Sequence, residues 1–215
     1  MTRRLTILTF ICSLLFVPVF AMAQDPIKKP DVSKLRKQSS ISVHDYVDLG
    51  LSVKWARCNI GAFSPEDYGS YFAWGETSVK SSYTVDNCST WGKSIGDIGG
   101  TSRDVAHVNW GGSWRLPTKA EMEELKNKCT WTWTTQGGKS GYKVTGPNGN
   151  SIFLPAAGYR DETSLGNAGE DGYYWSSTPF EFNSSNAYDL GFYSSYHYVG
   201  FCSRNGGHTV RPVSE

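Results

Sequence analysis

The run Tyr196 to Val213, YHYVGFCSRNGGHTVRPV, brings a thiol, two imidazoles and two phenols close together in sequence. Cys202 and His208 are the residue types of a thiol nucleophile and its general base, and His197 is a second candidate base. Five residues separate Cys202 from His208, a spacing that fits no catalytic motif, so a displayed or disulfide-bonded cysteine is the reading taken here and no catalytic residue is assigned. His107, in RDVAHVNW, could pair with Asp104, but no serine completes the set, and it reads as a loop or core histidine. CxxC, HExxH, P-loop and dinucleotide-binding patterns are all missing, and no metal ligands are assigned. NAGEDG (167–172) and PEDYG (65–69) offer hard oxygens of the kind calcium takes, which leaves a structural calcium open and no other cofactor expected.

The elements that must hold these residues begin after an export signal. Arg3 and Arg4 precede an apolar run, Leu5 to Phe20, and Ala21-Met22-Ala23 is a small-x-small cleavage site. The sequence predicts a signal peptide over 1–23, Gln24 as the first mature residue, and no transmembrane anchor after cleavage. Localisation follows: periplasm, outer surface or secreted. Residues 24–44 read as a flexible basic leader, and residues 45–215 as one ligand-binding domain. Residues 44–215 hold 14 basic and 18 acidic residues, a net charge of −4, which is not the footprint of a nucleic-acid binder. Eight Trp and 23 Gly suit a loop-rich domain pinned by large side chains. Cys58, Cys88, Cys129 and Cys202 remain after export; four cysteines allow three pairings, and sequence alone does not choose.

Alternation predicts a strand over 46–56, and YGSYFAWGE (68–76) is a second candidate. Residues 77–112 read as long loops. Thr118 and Glu121 form a capping box that opens a helix over about 119–128, with Met122, Leu125 and Cys129 on its buried stripe. Short strands follow at 130–135, 141–146, 151–158, 172–178, 187–193 and 208–213. Trp55, Trp74, Trp114 and Trp175 are the expected core. The fold class is α+β: mostly short antiparallel strands and long loops, with one or two helices.

The motifs DLGLSVKWARCNIGA, YFAWGET, WRLPTKAEMEELKNKCTWTW, GPNGNSIFLPAAGYR, YWSSTP and VRPV resemble the fibrobacter major paralogous domain over about residues 45–215. That resemblance implies a C-type-lectin-like fold, in the broad version shared with formylglycine-generating enzymes, with the first and last strands paired. It also favours a Cys58–Cys129 disulfide, since both lie in the matching motifs; Cys88 and Cys202 are left open. The enzymes carry an active cysteine pair near the C-terminus, whereas only Cys202 lies there in this chain, so their activity is not expected. The Glu-Pro-Asn or Gln-Pro-Asp triplets of calcium-dependent sugar-binding lectins do not occur either.

The C-terminal part is similar to the variable region of proteins diversified by retroelements, in which randomised adenines yield Tyr, His, Gly, Phe, Cys, Ser, Asp or Asn but never Lys, Glu, Gln, Met or Trp. Those five types make up about a fifth of residues 24–181, and none occurs in 182–207. Tyr188, Leu190 and Phe192 share one strand face as core, and the other face is read as displayed, with a loop after it. The expected ligand-binding residues are Phe180, Phe182, Asn183, Asp189, Gly191, Tyr193, Tyr196, His197, Tyr198, Gly200, Phe201, Cys202, Ser203, Asn205 and Gly206, with Tyr193, Tyr196, Tyr198 and Phe201 as anchors. Arg204 could be fixed or varied. The expected partner is a protein or cell-surface glycan. The alternatives are a structural or fimbria-associated surface module without a diversified site, and an enzyme on the formylglycine-generating scaffold.

Overall fold

The computed structural model describes residues 44–215; the expected signal peptide and all but the last residue of the leader lie outside the described residues. The elements are β1 (Tyr46–Val47), β2 (Lys54–Ala56), α1 (Val105–Trp110), α2 (Lys119–Lys128), β3 (Thr130–Gln136), β4 (Lys139–Thr145), β5 (Ser151–Pro155), β6 (Tyr159–Asp161), β7 (Ser164–Gly166), β8 (Asp171–Pro179), β9 (Asn186–Tyr193), β10 (Tyr196–Ser203) and β11 (Val213–Ser214). They form small antiparallel sheets, β1-β2-β11, β3-β4-β5, β10-β9-β8 and β6-β7, giving an α+β protein.

The single strand expected over 46–56 is instead two. Asp48 Oδ1 accepts from the Gly50 amide, and Gly50 takes the left-handed φ of 73°, so the chain turns before it can extend again. β2 then lies between β1 and β11, with Val213 opposite Trp55, so the two ends of the domain meet. Only Val213–Ser214 of the last segment is strand. The candidate at 68–76 forms no strand beyond the bridge from Phe72 to His208, although Trp74 within it is buried.

Helix α2 follows its capping signal. Thr118 Oγ1 accepts from the Glu121 amide, and the Glu121 carboxylate accepts from the Thr118 amide. The Arg115 guanidinium donates to both oxygens of Glu121, joining the cap to the preceding segment. Met122 and Leu125 are buried, in one cluster with Trp55, Val144, Leu154, Tyr174, Leu190, Phe192 and Val213. Helix α1 lies in the stretch read as loop. It starts at Asp104, whose buried carboxylate accepts from Ala106, His107, Gly100 and Leu116 amides, so His107 is a helix residue and Asp104 a cap.

Trp74 and Trp175 are buried in a second cluster; Trp114 is only half-buried, packing edge-on against Trp110. The expected Cys58–Cys129 disulfide is not formed, and all four described cysteines are free thiols. Packing separates them: Cys129 joins the α2 cluster, Cys202 the Trp74–Trp175 cluster and Cys88 a third around Tyr71 and Tyr83. Cys58 is buried in the field of Arg211 and Arg57.

Candidate functional site

The segment after β9 is a strand rather than a loop. β10 pairs with β9 along its full length, from Tyr196 opposite Tyr193 to Ser203 opposite Asn186. β8 flanks β9 on the other side, which leaves β10 at the sheet edge. Alternation then sorts the side chains. His197, Val199 and Phe201 lie on the face of Tyr188, Leu190 and Phe192. His197 stacks on Trp131 with ring centroids 4.5 Å apart, Val199 packs on the α2 cluster, and Phe201 stacks on Phe180 at 4.0 Å. Burial and the nearby Lys126 push the His197 pKa down.

The other face carries Tyr196, Tyr198, Gly200 and Cys202 from β10 with Tyr193, Gly191 and Asp189 from β9. At the turn end, Tyr193 is 45% and Tyr196 54% exposed; their rings lie 5.9 Å apart, and Tyr196 stacks on Tyr198 at 5.8 Å. The Tyr142 hydroxyl donates to the Tyr193 carbonyl and so fixes the turn to the core. Phe182 is 83% and Phe201 51% exposed at the opposite end, beside Phe180. The expected residues therefore form two separate aromatic groups: tyrosines at the β9–β10 turn and phenylalanines beside the β8–β9 connection.

Not every residue assigned to the surface reaches it. Asp189 and Gly191 are buried. Gly191 lies under the Tyr198 ring, so close that a Cβ there would collide with it. Gly200 is half-buried and Ser203 exposed. Asn183 is exposed, and its Oδ1 accepts from the Ser185 amide within the connection. Asn205 and Gly206, half-buried, belong to the turn closed by the Gly206 amide donating to Ser203. Arg204 is structural: buried, it donates to the carbonyls of Asn186, Thr90 and Lys93 and lies over the Trp74 ring at 4.2 Å.

Beneath Tyr198 the structure assembles a set that the sequence reading did not place together. Ligand atoms of Asp189, Cys202 and His208 all lie within 4.8 Å of one another, with His208 Nδ1 3.6 Å from Asp189 Oδ2. His208 is stacked on Trp175 at 4.0 Å. Burial pushes Asp189 up to about 7 and His208 down to about 3, and burial together with Asp189 pushes the Cys202 thiol far up. A thiol held in that state is protonated at neutral pH and is no activated nucleophile. The trio was not legible because Asp189 and Cys202 share a face only if β10 is a strand in this register.

In the two segments that could offer oxygens to calcium, the aspartates are already engaged. The Asp67 carboxylate accepts from the Phe63 and Ser64 amides, and Asp171 accepts from the Asn167 side chain.

No curated protein and no solved structure matches this chain. The sequence model of the Lcl C-terminal domain matches residues 46–214, from β1 through β11. The chain belongs to the Lcl C-terminal domain family.

Proposed function

We propose that this chain is an exported, surface-displayed recognition protein that binds a protein or cell-surface glycan through the β9–β10 hairpin, and that it is not an enzyme. Membership of the Lcl C-terminal domain family fits a surface or adhesion-type domain. The observation that carries the site is the tyrosine group at the turn: Tyr193 and Tyr196 expose large amphipathic rings from an edge hairpin anchored to the core through Tyr142, Trp131 and Phe192. Such rings give wide contact at little rotamer cost. An edge strand also offers free backbone groups to an extended ligand segment. The architecture, with its ends paired through β2 and β11, is read as C-type-lectin-like and related to the fibrobacter paralogous domains.

Diversification is part of the same reading, confined by burial to fewer positions than the sequence implied. Tyr193, Ser194, Ser195, Tyr196, Phe201 and Ser203 are exposed and of the permitted types, while Asp189, Gly191 and Arg204 belong to the scaffold. A near-identical template beside a reverse-transcriptase gene, differing at those exposed codons, is expected. Binding to glycan and protein arrays tests the site directly. A Tyr193→Ala/Tyr196→Ala double variant should fold like the wild type and lose at least about tenfold in affinity, as expected for aromatic anchors worth 1.4 kcal/mol or more together. Equal binding by both proteins would overturn the assignment.

A further inference from the structure

We propose that Asp189, Cys202 and His208 form a binding site for one Zn2+ ion, approached from the Cys202 side. The first reason is the state of the donors. Asp189 is fully buried, yet its carboxylate meets no donor stronger than the Cys202 thiol, and His208 Nδ1, also sealed, stands 3.6 Å from Oδ2, beyond hydrogen-bond length. A buried carboxylate is costly, and proteins answer it by keeping the carboxyl protonated or by supplying hydrogen bonds, a counter-charge or a metal. Among the described residues no lysine or arginine fills that role; the side chains against the carboxylate are the Cys202 thiol and the His208 imidazole, the other two members of the set.

The second reason is the donor set. Thiolate, imidazole and carboxylate together suit zinc better than calcium or magnesium, which take oxygen alone. Zinc bonds of about 2.0–2.1 Å at a tetrahedral angle place nitrogen and oxygen ligands about 3.4 Å apart. His208 Nδ1 and Asp189 Oδ2 stand 3.6 Å apart, so these two buried ligands are already close to that spacing. The full set lies within 4.8 Å, against the about 3.6 Å to sulfur of a tetrahedral zinc site, so the ligands must close in by up to about 1 Å. Cys202 is half-buried on the edge strand, and it is the ligand with room to move.

The surroundings fit as well. Trp175 fixes the His208 ring by stacking. The backbone opposite Asp189 is Gly200, which puts no side chain into the space beside the carboxylate. Three protein ligands leave one position open, and binding displaces the thiol proton to solvent. An ion there would tie β9, β10 and the segment leading to β11 together beneath Tyr198.

The test uses the full exported chain, stripped with a chelator and titrated with Zn2+ alone, then with Co2+ as a spectroscopic substitute. The expected result is one equivalent bound per chain. The cobalt form should show the near-ultraviolet thiolate-to-metal band and visible d–d absorption of a four-coordinate site. Cys202→Ser, with folding checked by circular dichroism, should lose the sulfur band, and Cys88→Ser should keep it. A measurement on the wild type alone guards against a variant that fails to fold: one equivalent of Zn2+ should slow alkylation of Cys202 at least about tenfold, as mapped by peptide mass. Absence of stoichiometric binding, a sulfur band that survives Cys202→Ser, or alkylation of Cys202 unaffected by zinc would each overturn the proposal.

Discussion

Asp189 and Tyr193 lie on one side of the same strand, yet the first is sealed and the second is 45% exposed. Residue type did not distinguish them; neighbours did. Tyr198 and His208 cover the middle of the hairpin, whereas nothing comparable among the described residues covers its turn. The same division separates Arg204 from Phe182. Removing Arg204 takes a charged donor from three carbonyls, of which Asn186 and Thr90 keep an amide donor while Lys93 keeps none among the described residues, and it uncovers the Trp74 face. Arg204→Ala should therefore cost about 3 kcal/mol or more, read as a lower urea midpoint with unchanged slope, and Arg204→Lys should recover little because one ammonium cannot reproduce the guanidinium fork. Phe182→Ala, at a site 83% exposed, should change the midpoint by no more than about 0.5 kcal/mol. A large loss at Phe182 would mean that the phenylalanine group is part of the core.

Elements were legible in the sequence to the extent that their own residues determine them. Helix α2 was readable because Thr118, Glu121, Met122 and Leu125 state its start, phase and buried side locally. Thr118→Ala should cost about 1 kcal/mol in the same urea experiment. Helix α1 was not readable: it is six residues long, and although Asp104 caps it through the local amides of Ala106 and His107, the same carboxylate is also held by Gly100 and Leu116 outside the helix. β10 was missed for a related reason. Its two faces carry Tyr, Tyr, Gly and Cys against His, Val, Phe and Ser, so no polar alternation marks it, and pairing with β9 decides its conformation. That pairing places His197 against Trp131 and Tyr142, with Lys126 of α2 adding to the push on its pKa. The unfolded chain takes up this proton near the ordinary 6.5 and the folded chain only at lower pH, so between those values the unfolded state binds more protons. This lowers stability as pH drops below about 6.5; His208, held down to about 3, adds to the same loss and Asp189, raised to about 7, opposes it, so the His197 share is read as the difference between the wild-type and His197→Phe profiles in thermal melts from pH 7 to pH 5. Identical profiles for the two proteins would mean that the ring is solvated when folded.

At the scale of the molecule, the C-terminal segment is a structural closure, and the β9–β10 hairpin, proposed as the recognition surface, gives Leu190 and Phe192 to the core and leaves its turn outside. Arg211, buried, donates to Asn59 Oδ1 and to the carbonyls of Ala56, Arg57 and Phe153, so one side chain ties the start of the domain, β5 and the final segment together. Val213 follows it, pairing with Trp55 and bridging Arg115, inside the cluster that holds α2. The ends of the domain are thus joined by noncovalent contacts, in the absence of any described disulfide. Deleting residues 212–215 removes a buried valine and the last pairing of β2, and it opens a path for water to Trp55, Leu49 and Val53. The truncated chain should lose at least about 3 kcal/mol, with hydrogen-exchange protection falling together at the amides of Ala56 and Arg115, which now donate to Pro212 and Val213. The Tyr193→Ala/Tyr196→Ala protein should keep that protection while losing ligand. If truncation left the Arg115 amide protected, the closure would lie elsewhere, and the hairpin could not be treated as separable from the frame that carries it.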